Sequence, residues 1–128
     1  MADAPEDLLR FARGEADPVD FPHREHVRMA YEMLRRHRFA ETVLHFSKAL
    51  RAMVVRAGKA EAFHQTITIA FLSLIAERME AQRQCEFAAF ASANVDLFDE
   101  NVLSRWYRPE RLATPAARRT FLLPEPPP

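Results

Sequence analysis

Residues 59–82 read KAEAFHQTITIAFLSLIAERMEAQ, a stretch without proline or glycine. Phe63, Ile67, Ala70, Phe71, Leu74 and Ile75 fall on one side of a helix drawn over it, while Ile69 and Leu72 fall on the other. A helix that is apolar nearly all round is normally enclosed by neighbours. This stretch therefore predicts the central helix of an all-α protein. It does not predict a membrane span, because its longest apolar run, Ile67 to Ala76, is broken by Thr68 and Ser73 and is about half the required length.

Working outward, proline and glycine mark the edges of regular structure. Pro5, Pro18 and Pro22 precede residue 23, and the remaining prolines follow residue 108; between them the only glycine is Gly58. Ala, Leu, Arg, Glu and Met, all strong helix formers, dominate that interval. A first short helix is expected from about Pro5 to Arg13, with Gly14 past its end. A second runs from near Asp20-Phe21-Pro22 to about His37, with Val27, Ala30, Tyr31 and Leu34 as its apolar stripe. A third spans roughly Phe39 to Ala57 and stops at Gly58 in a left-handed cap. After the central helix, two shorter helices (Glu86 to Ala93 and about Asp99 to Tyr107) meet at Asn94, and a weaker turn follows Pro115. The expected fold is a single-domain bundle of about four to six helices over 1–123, ending in an irregular Pro-rich segment, with 124–128 as a flexible tail.

Composition narrows the class. The chain has 128 residues and a mass of 14.8 kDa, room for one core only. With 48% hydrophobic and 28% charged residues it is neither disordered nor fibrous. Eighteen Lys and Arg cancel eighteen Asp and Glu, so no overall field steers it to nucleic acid. Arg35, Arg36 and Arg38 cluster at a predicted helix C-terminus, where the dipole favours cations, and no aromatic residues interleave them. The one cysteine, Cys85, has no internal disulfide partner and reads as a structural thiol. MADAPEDLLR lacks a signal peptide's order, so a cytoplasmic protein is expected. No Gly-rich phosphate loop, Cys-x-x-Cys pair, H-E-x-x-H or nucleophile elbow occurs.

The histidines carry the chemical signal. His23 and His26 stand three apart at the start of the second helix, where neighbouring rings converge on one point. His64 stands near the start of the central helix. Short connections at His37-Arg38 and Gly58 make successive helices antiparallel, so helices two and four start at the same end of the bundle. His23, His26 and His64 are therefore expected to meet there; His37 lies at the other end and His45 mid-helix. Neutral imidazole is the commonest ligand for transition metals, and a helix N-terminus disfavours imidazolium. The expected site is a divalent Fe, Mn or Zn ion on these three rings. Glu61 or water would complete the coordination, Gln65 would orient a ligand, and Thr66 and Thr68 would bond to the ligating groups. Arg78, on the buried stripe, demands a carboxylate such as Asp96, Asp99 or Glu100, or a route outward.

The runs FPHREHVRMAYEMLRR, FHQTITIAFLSLIAERM and RWYRPERLATPAARRTFLLP resemble a group of small uncharacterised bacterial proteins. Their pattern is H-x-x-H-V, then an aromatic-H-E-T-I-T segment, then Y-x-P-E-R-L-x-x-P-x-A-R. The likeness spans about residues 21–123. The resemblance implies that His23, His26, His64, Thr66, Thr68, Glu110, Arg111 and Arg118 are the pattern's polar positions, and it brings no activity with it. Gln65 stands where the group has Glu, which argues against that position as an obligatory metal ligand.

The sequence thus predicts a small helical protein with a histidine metal site that serves hydrolytic or oxidative chemistry on a small molecule. In the hydrolytic form the ion lowers the pKa of bound water. The alternatives are a non-catalytic interaction or dimerisation module with structural histidines, and a metal-free acid–base enzyme built on His64. Neither nucleic acid nor membrane is an expected partner, and a homodimer is compatible with the chain.

Overall fold

Two glycines end the first and third helices as the sequence requires. Gly14 and Gly58 both have φ near +75° (75° and 73°), a region that penalises any Cβ. Past the third helix, the Gly58 N–H donates to the Val55 carbonyl at 3.0 Å and Lys59 N–H to Val54 at 2.8 Å. This pair of bonds is a Schellman cap, and it satisfies carbonyls that the helix leaves open. Gly14 and Glu15 repeat it on Phe11 and Arg10. A Cβ at Gly14 would lie 2.9 Å from that of Ala52, so this glycine also permits close packing against the third helix.

The computed structural model describes residues 4–82 and 86–126, without the side chain of Asp20. Cys85 and the last two residues of the expected tail lie outside the described residues. The architecture is all-α, in one bundle. In order come α1 (Glu6–Ala12), α2 (His23–Arg36), α3 (Phe39–Arg56), α4 (Gln65–Ala81), α5 (Phe87–Ala93), α6 (Pro109–Leu112) and α7 (Pro115–Arg119). Single 3-10 turns cover Pro18–Asp20, Ala60–Ala62, Val95–Phe98 and Val102–Arg105. No strand occurs among the described residues, and no helix there is long and apolar enough to cross a membrane.

α4 is the central element. It packs against α2, α3, α7 and the Val102–Arg105 turn, which explains why its apolar residues are not confined to one face. Leu72 and Ile75 are almost fully buried, and Leu8, Phe11, Val27, Met33, Phe90 and Leu97 join them in the core. Burying side chains of this size contributes roughly 1.5–3 kcal/mol each. Ile67, expected on the buried stripe, is 39% exposed instead, and the fully buried neighbour is Thr66. The reason is the C-terminal segment. Thr66 Oγ1 donates to the Thr120 carbonyl (2.8 Å) and accepts from Leu122 N–H (3.0 Å), so the chain's end covers the face of α4 that Thr66 occupies.

Two boundaries differ from the sequence reading. The central helix starts at Gln65, not at about Lys59, because residues 60–62 form a 3-10 turn and His64 is extended (φ −134°, ψ 109°). Where a helix is expected from Asp99 to Tyr107 there is a single 3-10 turn, Val102–Arg105, with another at Val95–Phe98 just before it. Arg78 finds its carboxylate at Asp96, in two bonds of 2.9 and 2.8 Å, with Asn94 Oδ1 a third acceptor at 3.0 Å. That bidentate pair holds the Asp96 carboxyl down at about 2.

Candidate functional site

α2 and α4 run side by side in the same direction. Their first turns line one cavity, to which α2 gives His23, His26 and Ala30 and α4 gives Ile67, Thr68, Phe71 and Leu72. A second cavity collects their last turns, from Leu34 and Arg35 to Met79 and Glu80. Both N-termini therefore sit at one end of the bundle, as the connection lengths require. His37 is at the opposite end, where its ring lies 5.5 Å from that of His45.

The cavity between the first turns has a volume of about 420 Å³. That falls within the range of about 300–1,000 Å³ usual for small-molecule pockets. Its walls are mainly apolar: Phe21, Phe46, Leu50, Phe71, Leu72 and Leu103. The polar groups on it are His23, His26, Thr68 and Glu100. The two imidazole rings are 6.3 Å apart between centroids, and aromatic neighbours hold each of them. His26 lies 4.6 Å from Phe21, which stacks on Phe11 at 5.0 Å, and His23 meets the edge of Phe71 at 5.2 Å.

Hydrogen bonding sets the tautomers. His23 Nε2 lies 2.9 Å from the Leu97 carbonyl, so it carries the proton and donates. In the neutral ring Nδ1 then keeps a lone pair. His26 bonds to the backbone of Phe21, which favours its protonated form, yet burial and then the charge of His23 outweigh this and push its pKa down to about 4. Near neutral pH that ring is uncharged. Its second nitrogen is an acceptor.

His64 has a different role. Its Nδ1 accepts from the Ile67 N–H at 3.1 Å and so caps α4, while its Nε2 donates to the Leu112 carbonyl at 2.7 Å. Both ring nitrogens are committed to backbone, and no lone pair remains for a metal ion. The structure joins His23 to His26 but does not place His64 on their cavity. Among the described residues, no group of three His, Cys, Asp or Glu side chains is arranged to hold a metal ion.

The expected helpers are also placed elsewhere. Glu61 lies in the 3-10 turn and is exposed, and its backbone carbonyl accepts from Arg118 (2.8 Å). Gln65 lines a groove against α3 with Lys48 and Arg51. Thr66 serves the C-terminal segment, and Thr68 Oγ1 donates to the His64 carbonyl at 2.7 Å while lining the histidine cavity. Sequence reasoning missed Phe21, Phe46, Leu50, Glu100 and Leu103 as members of this cavity. Phe46 and Leu50 carried only a core signal, and nothing local marked Glu100. Comparison of the chain with family models, with curated proteins and with solved structures finds no match.

Proposed function

We propose that the protein binds a small, mainly apolar molecule that carries a hydrogen-bond donor, in the cavity between the first turns of α2 and α4. The observation that supports this reading is the pairing of an apolar cavity of about 420 Å³ with two imidazole rings on its wall. Each ring is tied to the backbone through one nitrogen. A pKa near 4 leaves only about one His26 ring in a thousand protonated at pH 7. His26 is thus a weak proton carrier, since general acid–base work favours a pKa near the working pH. It is well suited to accept a hydrogen bond. The acid–base reading centred on His64 loses ground for a separate reason, as that ring's nitrogens are already bonded.

Phenol and its methyl ether anisole test the reading, since they share a ring and differ in the donor. Titrations followed by protein NMR should show phenol binding several-fold more tightly, with the largest shifts at Phe71, Thr68 and His26. In His26→Phe the preference should vanish. Equal affinities in the native protein would contradict the reading.

One observation favours a second reading, in which the cavity holds a divalent metal. Histidines that ligate metals usually give their other N–H to a carbonyl or carboxylate, as His23 does to Leu97. The protein ligands would be His23 and His26, with water completing the shell, and His64 would take no part. An Fe, Mn or Zn ion would there activate water or a bound substrate. Stoichiometric metal in protein purified without a His-tag, lost in His23→Ala/His26→Ala and kept in His64→Ala, is the result this reading requires.

A further inference from the structure

On the far side of α4 a smaller cavity opens between that helix and the C-terminal segment. Its volume is about 180 Å³. Trp106, Tyr107, Phe121 and Pro124 line one wall, and Glu77 of α4 supplies the carboxylate. We propose that this cavity binds a small organic cation of the quaternary ammonium class.

Three features carry the assignment. The size excludes ligands of the usual drug-like range, about 300–1,000 Å³ for their pockets, and suits a compact head group. Three aromatic side chains line one small space, and aromatic rings are the groups that attract poorly hydrated alkylammonium ions. Trp106 remains 40% exposed, so an aromatic surface stays available at the cavity. Tyr107 is fixed through its hydroxyl, which donates to the Leu122 carbonyl at 2.7 Å. That bond leaves the phenol no free proton to offer an anion.

Glu77 is the one charged residue on the lining, and its sign favours a cation. Arg78 and Arg105 both bond to Asp96, and Arg108 is paired with Glu125 at 2.9 Å. Arg111 donates to the Leu123 carbonyl at 2.9 Å. Glu77 has no hydrogen bond or ion pair among the described residues, and its charge acts only through the field it exerts on Arg78. The lining's one carboxylate is therefore the charge still open to a ligand.

The test uses the full chain and choline chloride as the probe. Trp106 is the protein's only tryptophan, so its fluorescence reports on this cavity alone. Choline should change the emission saturably. The uncharged carbon isostere of choline, with C in place of N⁺, should bind at least tenfold more weakly at matched ionic strength. Glu77→Gln should weaken choline at least fivefold while circular dichroism stays unchanged. In Trp106→Ala, saturation transfer to the choline methyl protons should be lost. An isostere that binds as well as choline, a Glu77→Gln protein within twofold of the parent, or the absence of any saturable change would each overturn the proposal.

Discussion

Two helix starts lie at one end of this bundle, and they use histidine in opposite ways. At the start of α4, His64 gives both ring nitrogens to backbone partners and is 8% exposed. At the start of α2, His23 and His26 each keep one nitrogen free of the backbone and line a cavity. The same residue type is a fastener in one place and a candidate ligand group in the other. What separates them is the cap. Leu112 takes the Nε2 proton of His64 as Leu97 takes that of His23, but His64 is the N-cap of α4 and its Nδ1 accepts the Ile67 N–H, whereas His23 and His26 lie inside α2.

Acid should break the comparison most strongly. His26 is a base whose folded pKa, about 4, lies below its ordinary 6.5. The unfolded chain therefore takes up the proton first. Its contribution to stability is complete above about pH 6.5, falls as pH drops, and is lost by about pH 4. At 1.36 kcal/mol per pH unit, the loss over that interval is about 3 kcal/mol. Urea denaturation at a series of pH values should show this slope, and His26→Phe should flatten it. The Asp96 carboxylate, held near 2 by Arg78, loses its contribution only below the ordinary carboxylate range, so the two effects separate on the pH axis.

Next in size is His64→Ala. It removes an N-cap and orphans the Leu112 carbonyl, a combined cost of about 2–3 kcal/mol. The expected result is a lower urea midpoint with the histidine cavity's phenol affinity unchanged. His26→Phe at pH 8 should do the reverse, shifting stability by no more than about 1 kcal/mol while abolishing the preference for phenol. The smallest effect is expected from Gln65→Glu. Beside Lys48 and Arg51 the new carboxylate gains at most about 0.5 kcal/mol as a surface pair, and cavity binding should not change.

The fold was legible because its signals are local. Gly14 and Gly58 stop helices through their own backbone, Pro22 precedes α2, and the all-round apolar pattern of residues 65–81 marks a surrounded helix. The parallel course of α2 and α4 followed from two short connections. The site was only half legible. The convergence of His23 and His26 is a property of helical spacing, but the fate of His64 depends on Leu112, 48 residues away. No periodicity encodes such a contact. The start of α4 differs from the propensity pattern for a related reason: helix propensity favours Ala60-Glu61-Ala62, yet the cap at His64 fixes the true beginning.

A set of polar side chains closes the C-terminal segment. Thr66, Tyr107, Arg111 and Arg118 bond to Thr120, Leu122, Leu123 and Glu61 carbonyls. Together with His64 they strap the C-terminal segment across α4. In this chain those side chains hold the fold closed, a role compatible with any chemistry or none. The strap reaches as far as Glu125, which pairs with Arg108, so the Pro-rich end is fastened up to that residue.

A nitrogen-detected NMR titration of the five imidazole rings from pH 8 to pH 4, with and without phenol, asks the most of this account. His26 should remain uncharged until close to pH 4, and phenol should shift its unprotonated nitrogen. At pH 8 His64 should show the Nε2–H tautomer and ignore the ligand. A His26 ring that titrates near 6.5, or a His64 ring that responds to phenol while the α2 pair stays silent, would contradict the division of labour drawn between the two helix starts.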